Sequence, residues 1–148
     1  MMHRQVTEHC FLKVQFESTV TWQLLSDYLR CTPQFHGVPR YDCVIIRTVD
    51  RVIFGRLLFI FTIVEGSTTY PLALIHPYDA ASGPQRRKDR DLGLIRVRAR
   101  PRASAEFISV HSIIRGAYLV QDGADVNDFF VVDVVDTDMF LRIKKIRS

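Results

Sequence analysis

The stretch Val52-Ile53-Phe54-Gly55-Arg56-Leu57-Leu58-Phe59-Ile60-Phe61-Thr62-Ile63-Val64 decides the fold class. Its β-branched and aromatic residues suit a pleated, largely buried surface. It holds one charge, Arg56, and falls short of the ~20 apolar residues that a membrane helix needs. It reads as a strand long enough to bend across two sheets.

Working outward, residues 43–49 are β-branched and apolar, and Asp50-Arg51 makes a turn into the long strand. On its far side Glu65-Gly66-Ser67 turns into a third strand over 68–75, which His76-Pro77-Tyr78-Asp79 is expected to break. Residues 80–91 are polar, carry Gly83-Pro84 and read as a loop. Residues 92–98 alternate, with Ile95, Val97 and Ala99 on one face and Arg96, Arg98 and Arg100 on the other, until Pro101. Residues 107–114 fit a strand or a short helical turn, Gly116 permits a change of direction, and 129–135 is strongly β-prone. Residues 139–146 read as a strand or a short helix.

Toward the N-terminus, residues 11–17 alternate as a half-buried strand. Val20, Leu24, Leu25 and Tyr28 recur at helical spacing, which predicts a helix near 19–30 that ends at Pro33. Short strands separated by turns, without interleaved helical patterns, argue an all-β fold: a small bent barrel over 39–148. Residues 1–38 are expected to form an appendage of one strand and one short helix.

The chain has 148 residues, 47% hydrophobic and 24% charged, which is the composition of one globular domain and excludes a disordered chain. Cys10, Cys31 and Cys43 are odd in number and include no CxxC pair, so a reducing, intracellular setting is expected. The first residues lack the apolar core of a secretory signal.

Catalytic motifs are missing from the sequence. The five histidines are scattered, and there is no Gly-x-Ser-x-Gly elbow, no phosphate-binding glycine loop and no second ligand pair to match His9-Cys10. Cys43 sits in an apolar strand, as structural thiols do. Asp133 and Asp136 fall at opposite pleat parity, which argues against a cation site there. No catalytic residue, metal, cofactor or small-molecule substrate is expected.

Charge is more informative than motif. Residues 86–102 carry Arg86, Arg87, Lys88, Arg90, Arg96, Arg98, Arg100 and Arg102 against Asp89 and Asp91, a local net of +6. Residues 121–138 carry six aspartates and no basic residue. A row of guanidiniums at period two, beside a basic loop, can grip phosphates. The same row can instead be neutralised by the acidic segment, and aromatic interleaving is missing from it. Tyr41, Phe59 and Tyr78 are candidates for a peptide-binding pocket that receives a methylated lysine by cation–π attraction. Tyr78 leads them because it lies where a strand would leave the barrel.

The blocks Arg40-Tyr41-Asp42-Cys43-Val44-Ile45, Phe54-Gly55-Arg56-Leu57-Leu58-Phe59-Ile60-Phe61 and Tyr70-Pro71-Leu72-Ala73-Leu74-Ile75-His76-Pro77-Tyr78-Asp79 resemble the C-terminal region of fungal transposon proteins of the Plavaka type. The likeness continues through 88–93, 96–102, 113–117 and 132–142, so that it spans about residues 30–143. In that family the DNA-cutting carboxylates lie in a separate upstream domain. The resemblance therefore implies a relic of the C-terminal module, without transposase activity. A looser similarity links residues 52–61 and 110–120 to the bromo-adjacent homology domain, a β-rich chromatin module, although its cage residues have no one-to-one match here.

Together these readings lead to one expectation: a non-enzymatic, nuclear interaction module that binds chromatin protein or DNA through its Arg-rich loop and strand. The alternatives are a structural module that docks a transposase catalytic domain, and an unrecognised metal-dependent nuclease.

Overall fold

A computed structural model describes residues 4–80, 84–123, 125–133 and 136–147. The chain order is β1 (Arg4–His9), β2 (Phe11–Glu17), β3 (Leu24–Phe35), β4 (Val38–Tyr41), β5 (Cys43–Arg47), β6 (Val52–Glu65) and β7 (Thr68–Ala80). Then follow α1 (Arg87–Leu92), β8 (Ile95–Ala99), β9 (Glu106–Ser109), β10 (Ile113–Ala117), β11 (Leu119–Gln121), β12 (Asp128–Val131) and α2 (Thr137–Arg147).

The long β6–β7 hairpin is the spine. Its half near β5 lies in a sheet of order β10-β5-β6-β7-β8-β12-β11. In the other half β1 flanks β6 and β9 flanks β7. A register shift between Leu57 and Phe59 separates the two halves, so that the spine bends where it changes neighbours. Strands β2-β3-β4 form a second sheet.

Strand parity sorts the core into two layers. Val44 and Ile46 of β5 join Val14, Leu29 and Cys31 of the second sheet, along with Leu57, Ile60 and Ile75. Cys43 and Ile45, on the opposite face of the same strand, join Phe54, Tyr78, Val97 and Val131 with Met139 and Ile143 of α2. Both α2 side chains are fully buried, and each stabilises the fold by ~1.5–3 kcal/mol. The main sheet is thus covered by a sheet on one face and by α2 on the other. Gly55 permits this close packing: a Cβ there would meet Ile46 Cδ1 at 2.9 Å.

The all-β expectation holds at the level of class, with corrections. Residues 24–35 form strand β3 where a helix was expected, because Phe11 to Glu17 pairs residue by residue with Arg30 to Leu24. The expected closed barrel is an open sheet: β10 and β11 are its two edges and follow each other along the chain, separated only by Tyr118. Strand β7 also runs through Pro77. That residue falls between the part of β7 paired with β9 and the part paired with β8, so its missing N–H interrupts neither ladder. The basic loop contains helix α1, and residues 81–83 of that loop, with 134–135 of the β-prone run, lie outside the described residues. Strands β2 and β3 share the first core layer with β5, β6 and β7.

Candidate interaction surfaces

The arginine row of β8 faces its own chain. Register pairs Arg98 with Asp128 and Arg96 with Phe130, which carries the acidic segment alongside the basic one. Arg96 donates from Nε to Asp89 Oδ2 at 2.9 Å, and from Nη1 to Asp122 Oδ2 at 2.7 Å and Asp128 Oδ2 at 2.8 Å. Its guanidinium also lies 4.5 Å from the Phe130 ring centre. The Asp89 hydrogen bond above all, against the opposing effect of burial, holds Arg96 more firmly charged than a free arginine. Arg98 donates to Asp128 at 2.8 Å and Asp125 at 3.2 Å, and Arg100 pairs with Asp79 at 3.0 Å. Of the two alternatives the sequence leaves open, the row takes the neutralised one: Arg96 is buried, and its two neighbours, though partly exposed, are committed to carboxylates.

The flanking cations are more accessible. Arg86, Arg87, Lys88, Arg90 and Arg102 are exposed. Of these, Arg86 lies 3.5 Å from Asp128, Arg87 lies 3.6 Å from Asp91, and Lys88 sits over the Phe130 ring.

The expected aromatic pocket does not assemble. Tyr78 is buried in the second core layer, where its Oη accepts from Arg56 Nε at 3.1 Å. Tyr41 packs on the first layer, and Phe59 lies beyond the bulge against Phe61. Arg56 also donates to the Tyr41 carbonyl at 2.9 Å, so this guanidinium ties the two layers together. Burial foremost, with the neighbouring Cys43, raises the Tyr78 pKa against the effect of Arg56.

A second ionic cluster holds the parts of the fold in place. Arg115 of β10 donates to Asp138 at 2.9 Å, Asp27 at 3.1 Å and Asp136 at 3.2 Å. Asp138 also accepts from the Thr19 N–H and hydroxyl, both at 2.7 Å, and from Arg142 Nε at 2.7 Å. Burial pushes the Asp138 carboxyl upward, but these donors together overcome it and hold the group well below the usual carboxylate range. The β2–β3 turn is thereby fastened to the start of α2. Gly116 lies beside it: its N–H donates to Asp27 at 2.8 Å, and a Cβ there would press on Leu29 Cδ2 at 2.9 Å.

That fastening shapes a groove. Between α2 and the β5–β6 turn lies a cavity of about 690 Å³, floored by Ile45, Val52, Ile114, Leu141 and Ile146 and rimmed by Arg47 and Arg51. It continues past Arg47, Thr19 and Lys145 into a more open groove of about 870 Å³, where Trp22 and Val49 stand exposed. Trp22 is 73% exposed and has φ 61°, a left-handed backbone that a bulky residue adopts only under local constraint. Here Ser18 supplies that constraint, with its hydroxyl accepting from Val20 and Thr21 N–H and its carbonyl from Trp22 N–H. Among the described residues no carboxylate pairs with Arg47 or Arg51. Sequence reasoning missed this site because Arg47 and Arg51 merely flank a turn; the only signal was two cations at the mouth of an apolar hairpin.

Among the described residues no group of three or more His, Cys, Asp or Glu is placed to hold a metal ion, and no helix is long and apolar enough to cross a membrane. Comparison with protein-family models, with curated proteins and with solved structures finds no match for this chain.

Proposed function

We propose that this chain is a non-enzymatic interaction module, of the transposon-derived kind its sequence resembles, which docks a protein segment in the groove beside α2. One observation carries the reading: the groove joins an apolar floor to two arginines without a carboxylate partner among the described residues, whereas β8 is self-neutralised. Charge complementarity selects a segment with aspartates or glutamates beside an aliphatic side chain. The aliphatic group would fill the cavity over Ile45 and Ile146, and the carboxylates would meet Arg47 and Arg51 in charge-assisted hydrogen bonds. A chromatin protein or an adjoining transposase catalytic domain would each supply such a segment. A chromatin partner would place the module in the nucleus, with the bent sheet as a barrel-like support.

The test is selection from a library of short random peptides on the immobilised chain. Enriched peptides should combine acidic and aliphatic residues, and they should lose binding to an Arg47→Glu/Arg51→Glu variant. Enrichment without acidic residues, or binding indifferent to the double substitution, would remove the reading.

A second reading keeps duplex DNA as partner, favoured by the exposure of Arg86, Arg87, Lys88, Arg90 and Arg102. Replacing these five by glutamine should then abolish salt-dependent duplex binding, and unchanged binding would exclude it.

A further inference from the structure

The outer face of the β2-β3-β4 sheet interleaves rings and cations. Alternation sends Val14, Phe16, Leu29 and Cys31 inward, which leaves Phe11, Lys13, Tyr28 and Arg30 on the opposite face. Register places Phe11 across from Arg30 and Lys13 across from Tyr28. The Phe11 and Tyr28 rings stack with centroids 5.7 Å apart and planes at 17°. Lys13 Nζ lies 6.0 Å from the Tyr28 ring centre. The Arg30 guanidinium sits between Phe11, at 4.3 Å, and Phe35, at 5.3 Å, and Arg40 covers Phe35 at 4.7 Å. The register shift between Thr32 and Phe35 brings that last ring into line.

This face is open. Phe11 is 40% and Tyr28 56% exposed. Among the described residues no carboxylate pairs with the side chain of Lys13 or Arg30. Asp42, which accepts from the Arg30 backbone N–H at 2.8 Å, pairs with Arg40 at 3.0 Å. On strand β8 the guanidiniums are committed to carboxylates, whereas on this sheet Lys13 and Arg30 lie among exposed rings without a carboxylate partner among the described residues.

We propose that this face binds single-stranded nucleic acid, with bases stacking on the Phe11–Tyr28 pair and phosphates meeting Lys13 and Arg30. Stacking needs free base faces, which a duplex does not offer, and every base has one, so the preference is for strandedness over sequence. The surface is separate from the α2 groove and does not depend on the docking reading.

The experiment is fluorescence anisotropy of the full chain with labelled oligothymidylate, against a mixed-sequence duplex, across a salt series. The single strand should bind more tightly, with affinity falling as salt rises. Tyr28→Ala should weaken binding roughly tenfold, whereas Tyr28→Phe, which keeps the ring, should not. Lys13→Gln/Arg30→Gln should flatten the salt dependence, and Arg98→Gln should leave it unchanged. Absent binding, equal binding of duplex, or equal displacement by polyglutamate would overturn the proposal. If Tyr28→Ala loses its strand signal in far-ultraviolet circular dichroism, the Lys13→Gln/Arg30→Gln pair decides, and an unchanged salt slope overturns it.

Discussion

Strand β8 and the β5–β6 turn both carry arginines, yet they meet opposite fates. On β8 the antiparallel register with β12 delivers Asp128 to Arg98, and the turn before β12 brings Asp122 and Asp125 alongside. The turn between β5 and β6 holds only Asp50, which accepts from the Thr48 hydroxyl at 3.2 Å, and Arg47 and Arg51 project past it to the groove. Local charge density therefore misleads about availability. The denser cluster is spent inside the fold, and the sparser one is accessible.

The comparison breaks first at Arg96. Arg96→Ala would leave the buried Asp89 carboxylate without its cation and take one donor from Asp122 and from Asp128, which keeps Arg98, a loss of roughly 3 kcal/mol on the scale of disrupted buried pairs. Urea denaturation measures it, and a variant as stable as the parent would mean that the network is not buried in solution.

Acid tests this network and the Arg115 cluster together from the carboxylate side. The Arg98 hydrogen bond first, with that of Arg96, lowers the Asp128 pKa despite burial. Asp138 is lowered likewise by Arg142, Thr19 and Arg115. Because these folded-state values lie below the ordinary carboxylate value of about 3.9, their stabilisation is fully present above that pH. It is lost as pH falls through the depressed folded values. Thermal denaturation should thus show a midpoint that is level near neutrality and declines below about pH 4, with a shallower decline in Asp128→Asn/Asp138→Asn. An equal decline in that variant would assign acid lability to other groups.

How much of this was legible follows from which forces are local. The strands at 11–17, 52–64 and 68–75 announce themselves because apolar β-branched runs and turn residues act at short range. The inward set of β8, Ile95, Val97 and Ala99, follows from alternation alone. Residues 19–30 mislead because Val20, Leu24, Leu25 and Tyr28 are spaced as a helical stripe, yet all four are exposed in the fold. Pairing with β2, a non-local interaction, overrides that spacing. Met139 and Ile143 lie four apart, as a helix face requires, but so short a segment fits a strand equally well until its burial against β5 and β12 is known. The site was less legible than the fold. Arg47, Arg51 and Trp22 converge only once Thr19 is fastened to Asp138, and no spacing in the sequence encodes that contact.

The smallest expected effect completes the comparison. Arg47→Gln and Arg51→Gln remove charges that no carboxylate among the described residues balances, so each should change stability by less than about 0.5 kcal/mol. Both side chains are exposed, and neither substitution leaves a buried group without its partner. Differential scanning calorimetry of the two variants against the parent supplies the measurement. A clear loss of stability would show that these arginines, like Arg96, serve the fold, and the groove would then lose its claim to an external anionic segment. Unchanged stability together with lost peptide binding would separate the two clusters by role: one holds the sheet together, and the other is free to meet a partner.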